Sequence, residues 1–148
     1  MYDINGNNCS WRLYWDDAAG AYTFAVNNTG NPANDIIVAS THAVDHTKWM
    51  FVGGFYHPST THRIYVAYAE ETELSTDDNA VGIPAALFNG TSPLAVGSAF
   101  NNAVTVHEPF DGDISIGNMR IRTTATAATT IDAYFNRPFQ ITRRFYLE

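Results

Sequence analysis

Glu70-Glu71-Thr72-Glu73 is the densest run of carboxylates in the chain. A retaining glycosidase needs two carboxyl groups about 5 Å apart, which a strand supplies with the spacing Glu-x-Asp-x-x-Glu. This run lacks that spacing and has no aspartate at its middle position. Asp111 and Asp113 share a face but flank a turn, with no third acid beside them. His42, His46, His57, His62 and His107 are scattered; His42 and His46 are four apart, on a loop rather than a helix. No carboxylate or cysteine stands in register with them, so zinc has no ligand set. No nucleophile-elbow glycine pattern appears either. The chain reads as a non-enzyme, with no catalytic residue.

Calcium takes oxygen ligands from loops. Asp77 and Asp78, followed by Asn79, form the best local set, and Asp16-Asp17 the second; a solvated acidic turn accounts for either more simply. Sugar binding has more to draw on. Trp11, Tyr14, Trp15, Tyr56, His57, Tyr65 and Tyr68 carry flat apolar rings, which stack on pyranose faces and bury area with little loss of side-chain freedom. Most aromatic residues in a strand-rich chain belong to its core, and Trp11 and Trp49 are assigned there. Arg12, Tyr14, Arg63 and Tyr65 fall opposite the inferred core positions and are the expected carbohydrate-binding residues of an exposed face.

Strands have to position these side chains. Trp11, Leu13 and Trp15 alternate with Ser10, Arg12 and Tyr14, the period of a half-buried strand. After the Asp16-Asp17 turn, Tyr22, Phe24 and Val26 repeat the pattern. Residues 27–34 read as a loop and 35–39 as a short strand. Residues 48–56 are apolar on both faces, as in a central strand, and the Gly53-Gly54 pair within them marks a bulge or a close backbone approach. Residues 63–68 pair back on that strand, with Ile64 and Val66 on one face and Arg63 and Tyr65 on the other. Residues 70–79 read as an acidic loop, 93–97 as a small strand and 101–109 as a loop. A turn at Asp111-Gly112 launches a strand towards Arg122. Thr130 is placed as an N-cap, with Ile131, Tyr134 and Phe135 on one helical face before Pro138. The expectation is an all-β domain over residues 1–148: a two-layer antiparallel β-sandwich with one short C-terminal helix.

Charge narrows the partners. The formal net charge is −7 and Lys48 is the one lysine, a balance that disfavours nucleic acid and anionic membrane surfaces. No apolar run is long enough to insert in a membrane. Cys9 alone permits no internal disulfide. Asn8, Asn27 and Asn89 each head an Asn-x-Ser/Thr acceptor sequence for N-linked sugar.

Three blocks in fixed order, spread over nearly the whole chain, resemble the laminin G-like family of concanavalin A-type jelly rolls. Tyr2-Asp3-Ile4-Asn5-Gly6 with Ser10-Trp11-Arg12-Leu13 is similar to the family's opening motif. Trp49-Met50-Phe51-Val52 with Arg63-Ile64-Tyr65-Val66 is similar to its central hairpin. Leu94-Ala95-Val96-Gly97, Gly112-Asp113-Ile114, residues 131–135 and Arg144-Phe145 are similar to its ending, in versions common among bacterial surface and phage virion proteins. Two departures stand out. Ala67-Tyr68-Ala69-Glu70 replaces the usual Asp/Asn-Gly turn, and no Phe-Thr-Ile-x-x-Trp strand precedes Tyr2. The resemblance implies an N-terminally incomplete domain whose open sheet edge invites a second copy. It implies an extracellular, cell-surface or virion recognition module, lectin-like, binding a glycan or polysaccharide, with structural calcium as the one cofactor to expect. The alternative it implies is a structural or assembly domain of a phage or viral particle, acting through contact with other virion or surface proteins.

Overall fold

Alternation closes the first hairpin. β1 (Cys9–Asp16) and β2 (Ala21–Gly30) run antiparallel, with Trp11 opposite Val26, Leu13 opposite Phe24 and Trp15 opposite Tyr22. The Asp16 carboxylate shapes the turn by accepting the N–H groups of Ala18 and Ala19. Gly20 completes it at φ 62°, a left-handed conformation that costs a residue with a side chain roughly 1–2 kcal/mol. β3 (Ile36–Ala39) adds to the far side of β2, with Val38 opposite Phe24. The computed structural model describes residues 7–91, 94–101, 105–107 and 113–114.

Residues 27–34 differ from the expected loop. β2 continues through Gly30, and Pro32–Asn34 follow, after Asn31, as a 3-10 turn. Asn27 is the reason. Its side chain is fully buried, and its Oδ1 accepts the N–H groups of Thr29 and Gly30, both at 2.8 Å. Its Nδ2 donates to the Asn31 carbonyl at 2.6 Å and to Asp35 Oδ1 at 2.7 Å. A buried amide whose donors and acceptor are all met carries no desolvation penalty, so the strand persists beyond its apolar pattern.

The second sheet has the order β4-β5-β6. β4 (Met50–His57) and β5 (Thr61–Tyr68) form a hairpin in unbroken register, Gly53 opposite Tyr65 and Gly54 opposite Ile64. The middle position belongs to β5; β4, expected to be central, is paired on one side among the described residues. The Gly53-Gly54 pair makes no bulge. Gly54 instead marks a close approach, since a Cβ built there would lie 2.7 Å from Cδ2 of Phe24 in the other sheet.

β6 (Ser75–Asn79) lies inside the stretch expected as an acidic loop. It has no apolar residue, and its two faces serve different partners. Ser75, Asp77 and Asn79 stand opposite Val66, Ile64 and His62, on the side of the shared core. Asn79 Nδ2 donates to the carbonyl of Ile37 at 3.1 Å, and Asp77 accepts from the N–H and hydroxyl of Thr41 at 2.8 and 2.9 Å. These side chains satisfy backbone groups along and just beyond β3, which an uncovered edge would leave open.

Phe24, Val26 and Val38 of the first sheet and Ile64 and Val66 of the second form one buried cluster. Burying each such side chain contributes about 1.5–3 kcal/mol. Trp11, Tyr22, Ile36, Met50, Val52, Tyr56 and Leu87 close around it; Trp11 is thus at the core, as its alternation implied. A small antiparallel pair, β7 (Ala99–Asn101) with β8 (Thr105–His107), follows. Residues 94–97, expected as a strand, are irregular and turn at Gly97 with φ 78°, while β8 occupies part of the expected 101–109 loop. The fold of the described residues is all-β in antiparallel sheets. The Tyr2–Ile4 block, most of the strand expected towards Arg122 and the helix expected over 131–135 lie outside the described residues.

Candidate functional site

The four residues expected to bind carbohydrate do not meet. Arg12 and Tyr14 sit on β1, opposite Ala25 and Thr23 of β2. Arg63 and Tyr65 sit on β5, opposite Phe55 and Gly53 of β4. Each pair occupies the side of its own sheet turned away from the shared cluster. Within each pair the cation covers the ring: Arg12 Cζ lies 4.0 Å from the Tyr14 centroid, and Arg63 Cζ 5.8 Å from that of Tyr65. Arg12 also pairs with Asp35 at 3.4 Å, and Arg63 donates two hydrogen bonds to Asp78.

Tyr65 is 6% exposed, which corrects its expected place on an open face. The outward side of this sheet is itself apolar: Phe51, Phe55 and Ala67 share it, and the Phe51 ring lies over Gly53 beside Tyr65. The apolar character of residues 48–56 on both faces carried that signal.

The calcium candidates do not converge either. Asp77 and Asp78 are consecutive in β6, so their side chains project to opposite faces. Asp77 is engaged by Thr41, Asp78 by Arg63. The hydrogen bonds from Arg63 hold the Asp78 carboxyl below the usual aspartate range and raise the guanidinium in turn. At the second candidate, Asp16 accepts from its own turn, and Asp17 accepts from Trp15 Nε1 at 2.6 Å. Among the described residues no three of His, Cys, Asp and Glu come together as metal ligands.

What does come together is the loop of residues 40–49 with the strand ends it connects. Ser40 N–H donates to the Tyr22 carbonyl at 2.8 Å, which sets the loop beside the β1–β2 turn. There the Trp15 ring meets Tyr22 edge-on at 5.3 Å and His46 at 4.7 Å. Burial raises the Tyr22 pKa, so its hydroxyl stays protonated. Farther along, His42 lies edge-on to Tyr68 at 5.0 Å, and its Nε2 faces both Glu71 oxygens at 3.0 and 3.1 Å. The Tyr68 hydroxyl donates to the Ala43 carbonyl, and Lys48 Nζ sits 5.0 Å from the Tyr68 centroid while donating to Glu70 at 2.6 Å. That bond raises the Lys48 pKa and lowers that of Glu70. Asp45 shapes the loop through the Thr47 hydroxyl and N–H, which depress its pKa.

Trp49 ends this loop. Its carbonyl accepts from Ala69 N–H at 3.0 Å, and its side chain is 54% exposed. Assigned to the core from its apolar neighbours, it is instead an outward-facing indole immediately before β4. Trp15 and Tyr68 were legible as ring donors. His42, His46 and Glu71 were not, since nothing in their spacing placed them near those rings. The arrangement offers indole, phenol and imidazole surfaces beside carboxylates and amides. His42 and Glu71 form a base-and-carboxylate pair, and the nearby Ser40 hydroxyl accepts the backbone N–H of His42.

Comparison with protein-family models, with curated proteins and with solved structures finds no match for this chain.

Proposed function

We propose that this chain is a non-catalytic recognition module that binds a glycan or polysaccharide at a cell or virion surface, on a two-layer jelly-roll sandwich of laminin G-like type. The supporting observation is the exposed Trp49 indole at the end of a loop that also presents His46 beside Trp15 and Lys48 beside Tyr68. A flat, exposed ring flanked by hydrogen-bonding groups is what a pyranose face and its hydroxyls require. The proposal moves the sugar site from Arg12, Tyr14, Arg63 and Tyr65 to the loop end. Hydrogen bonds among the loop's own groups hold it in shape, so little freedom is lost on binding.

The test is a glycan array followed by calorimetry on the wild type, Trp49→Ala and Tyr14→Ala. Binding that falls at least tenfold in Trp49→Ala and survives in Tyr14→Ala supports the loop-end site; loss in Tyr14→Ala alone, or no glycan bound by the wild type, refutes it. A second reading, an assembly domain, draws on Ile37 and Val81, which are 50% and 80% exposed and are tied together by Asn79, bonded to the backbone of both. A stable oligomer broken by Val81→Asp, with no glycan bound, would favour it.

A further inference from the structure

We propose that His62 is an acid-sensitive latch between the two sheets, and that a proton taken up by its ring loosens β2 and β3 from β5 and β6. The imidazole is fully buried in the row of β5 that also carries Ile64 and Val66. Neither Nδ1 nor Nε2 has a hydrogen-bond partner among the described residues. A neutral ring tolerates that setting, packed 6.0 Å from the Phe24 ring across the core. An imidazolium is disfavoured there, because burial takes its charge away from water and the nearby Phe24 and Ile37 backbone offsets that loss only in part.

The groups around the ring compensate only in part. From β4 its neighbour is Tyr56, whose hydroxyl donates to the Pro84 carbonyl at 2.6 Å and is kept protonated by burial. From β6 its neighbour is Asn79, committed to the Ile37 carbonyl. Asp77, one place along the same row, is held by Thr41, and Asp78 lies on the far face, bound to Arg63 of β5 itself. From β2 and β3 come the Phe24 ring and the Phe24 and Ile37 backbone. Burial lowers the His62 pKa against the partial pull of that backbone and of the Asp78 charge.

The sign follows from linkage. Above about pH 6.5 the ring is neutral whether the sheets are closed or apart, and the full stability is present. Below that, the opened form takes up the proton before the closed one, so stability falls with pH until the closed-state pKa is reached. One such site changes the opening equilibrium by at most about tenfold per pH unit.

The test uses the full chain and a non-titrating variant, His62→Met. Urea unfolding and amide hydrogen exchange are followed from pH 8 to pH 5, with an NMR titration of the histidine rings. In the wild type the opening constant should rise towards tenfold per pH unit below about 6.5, with faster exchange in β3 and β6. The variant should lose that increment while its remaining histidines still titrate. Two results would overturn the latch: an unchanged pH slope in His62→Met, or a wild-type His62 that protonates near its ordinary value while β3 and β6 stay protected. The second needs only the wild type, so it decides the matter even if the variant fails to fold.

Discussion

Replacing Gly54 with alanine tests how closely the two sheets meet. Gly54 stands in the row of β4 that includes Met50, Val52 and Tyr56, each packed against the shared cluster. An alanine Cβ there would lie 2.7, 2.8 and 2.9 Å from Cδ2, Cγ and Cε2 of Phe24. Carbon atoms in contact prefer about 3.5–4.0 Å, so the ring would have to retreat by close to 1 Å. Phe24 is 6% exposed and part of the buried cluster, which leaves it little room. Overpacking of this kind costs about 1–3 kcal/mol. The backbone works the other way: alanine in a strand gains roughly 0.5–1 kcal/mol over glycine, and Gly54 is not at positive φ. The net expectation is a loss of up to about 2.5 kcal/mol, or up to about 10 °C in melting temperature for a chain of this size. Urea unfolding of Gly54→Ala and of the double variant with Phe24→Leu measures it. The smaller partner should make the alanine less costly than it is beside phenylalanine. A Gly54→Ala protein more stable than the wild type, or an alanine effect unaltered by Phe24→Leu, would show that the sheets do not meet here as described.

Two further outcomes follow from the same geometry. Asn27→Asp keeps the acceptor for Thr29 and Gly30 but turns a carboxylate oxygen towards the Asn31 carbonyl and Asp35; a loss of about 1–3 kcal/mol is expected, and an unchanged thermal midpoint would contradict the buried network. Asp78 is 46% exposed beside Arg63, so Asp78→Asn should cost no more than about 1 kcal/mol and less at high salt. Because Arg63 depresses the Asp78 pKa below 3.8, the pair's contribution is present above that value and fades as pH falls through the depressed one. Asp78→Asn should therefore flatten the acid limb of the stability profile, and an equally steep limb would count against the pair.

Side-chain alternation makes β1, β2 and β5 legible in the sequence, because each presents an apolar row to the shared cluster. β6 is invisible to that criterion: Ser75-Thr76-Asp77-Asp78-Asn79 has nothing to bury, and its place is fixed by bonds to Arg63, Thr41 and the Ile37 carbonyl, all distant along the chain. Tyr65 was misplaced for the opposite reason. Alternation assigns one buried face, whereas β4 and β5 are apolar on both. The candidate site was legible only in part. Trp15 and Tyr68 announce themselves as rings, but the nearness of His46 to one and His42 to the other arises from the path of residues 40–49. Trp49 was hidden by its apolar neighbours, although the backbone turns its indole outward just before β4.

Asn27 has a practical bearing on how the protein is made. Asn27-Asn28-Thr29 spells an acceptor for N-linked oligosaccharide, yet the nitrogen to be modified donates to Asn31 and Asp35 in a site closed to water. A sugar attached there during synthesis could not be accommodated afterwards. Cells that glycosylate nascent chains would therefore yield two populations, one folded and bare at this position, the other decorated and unable to close the first sheet.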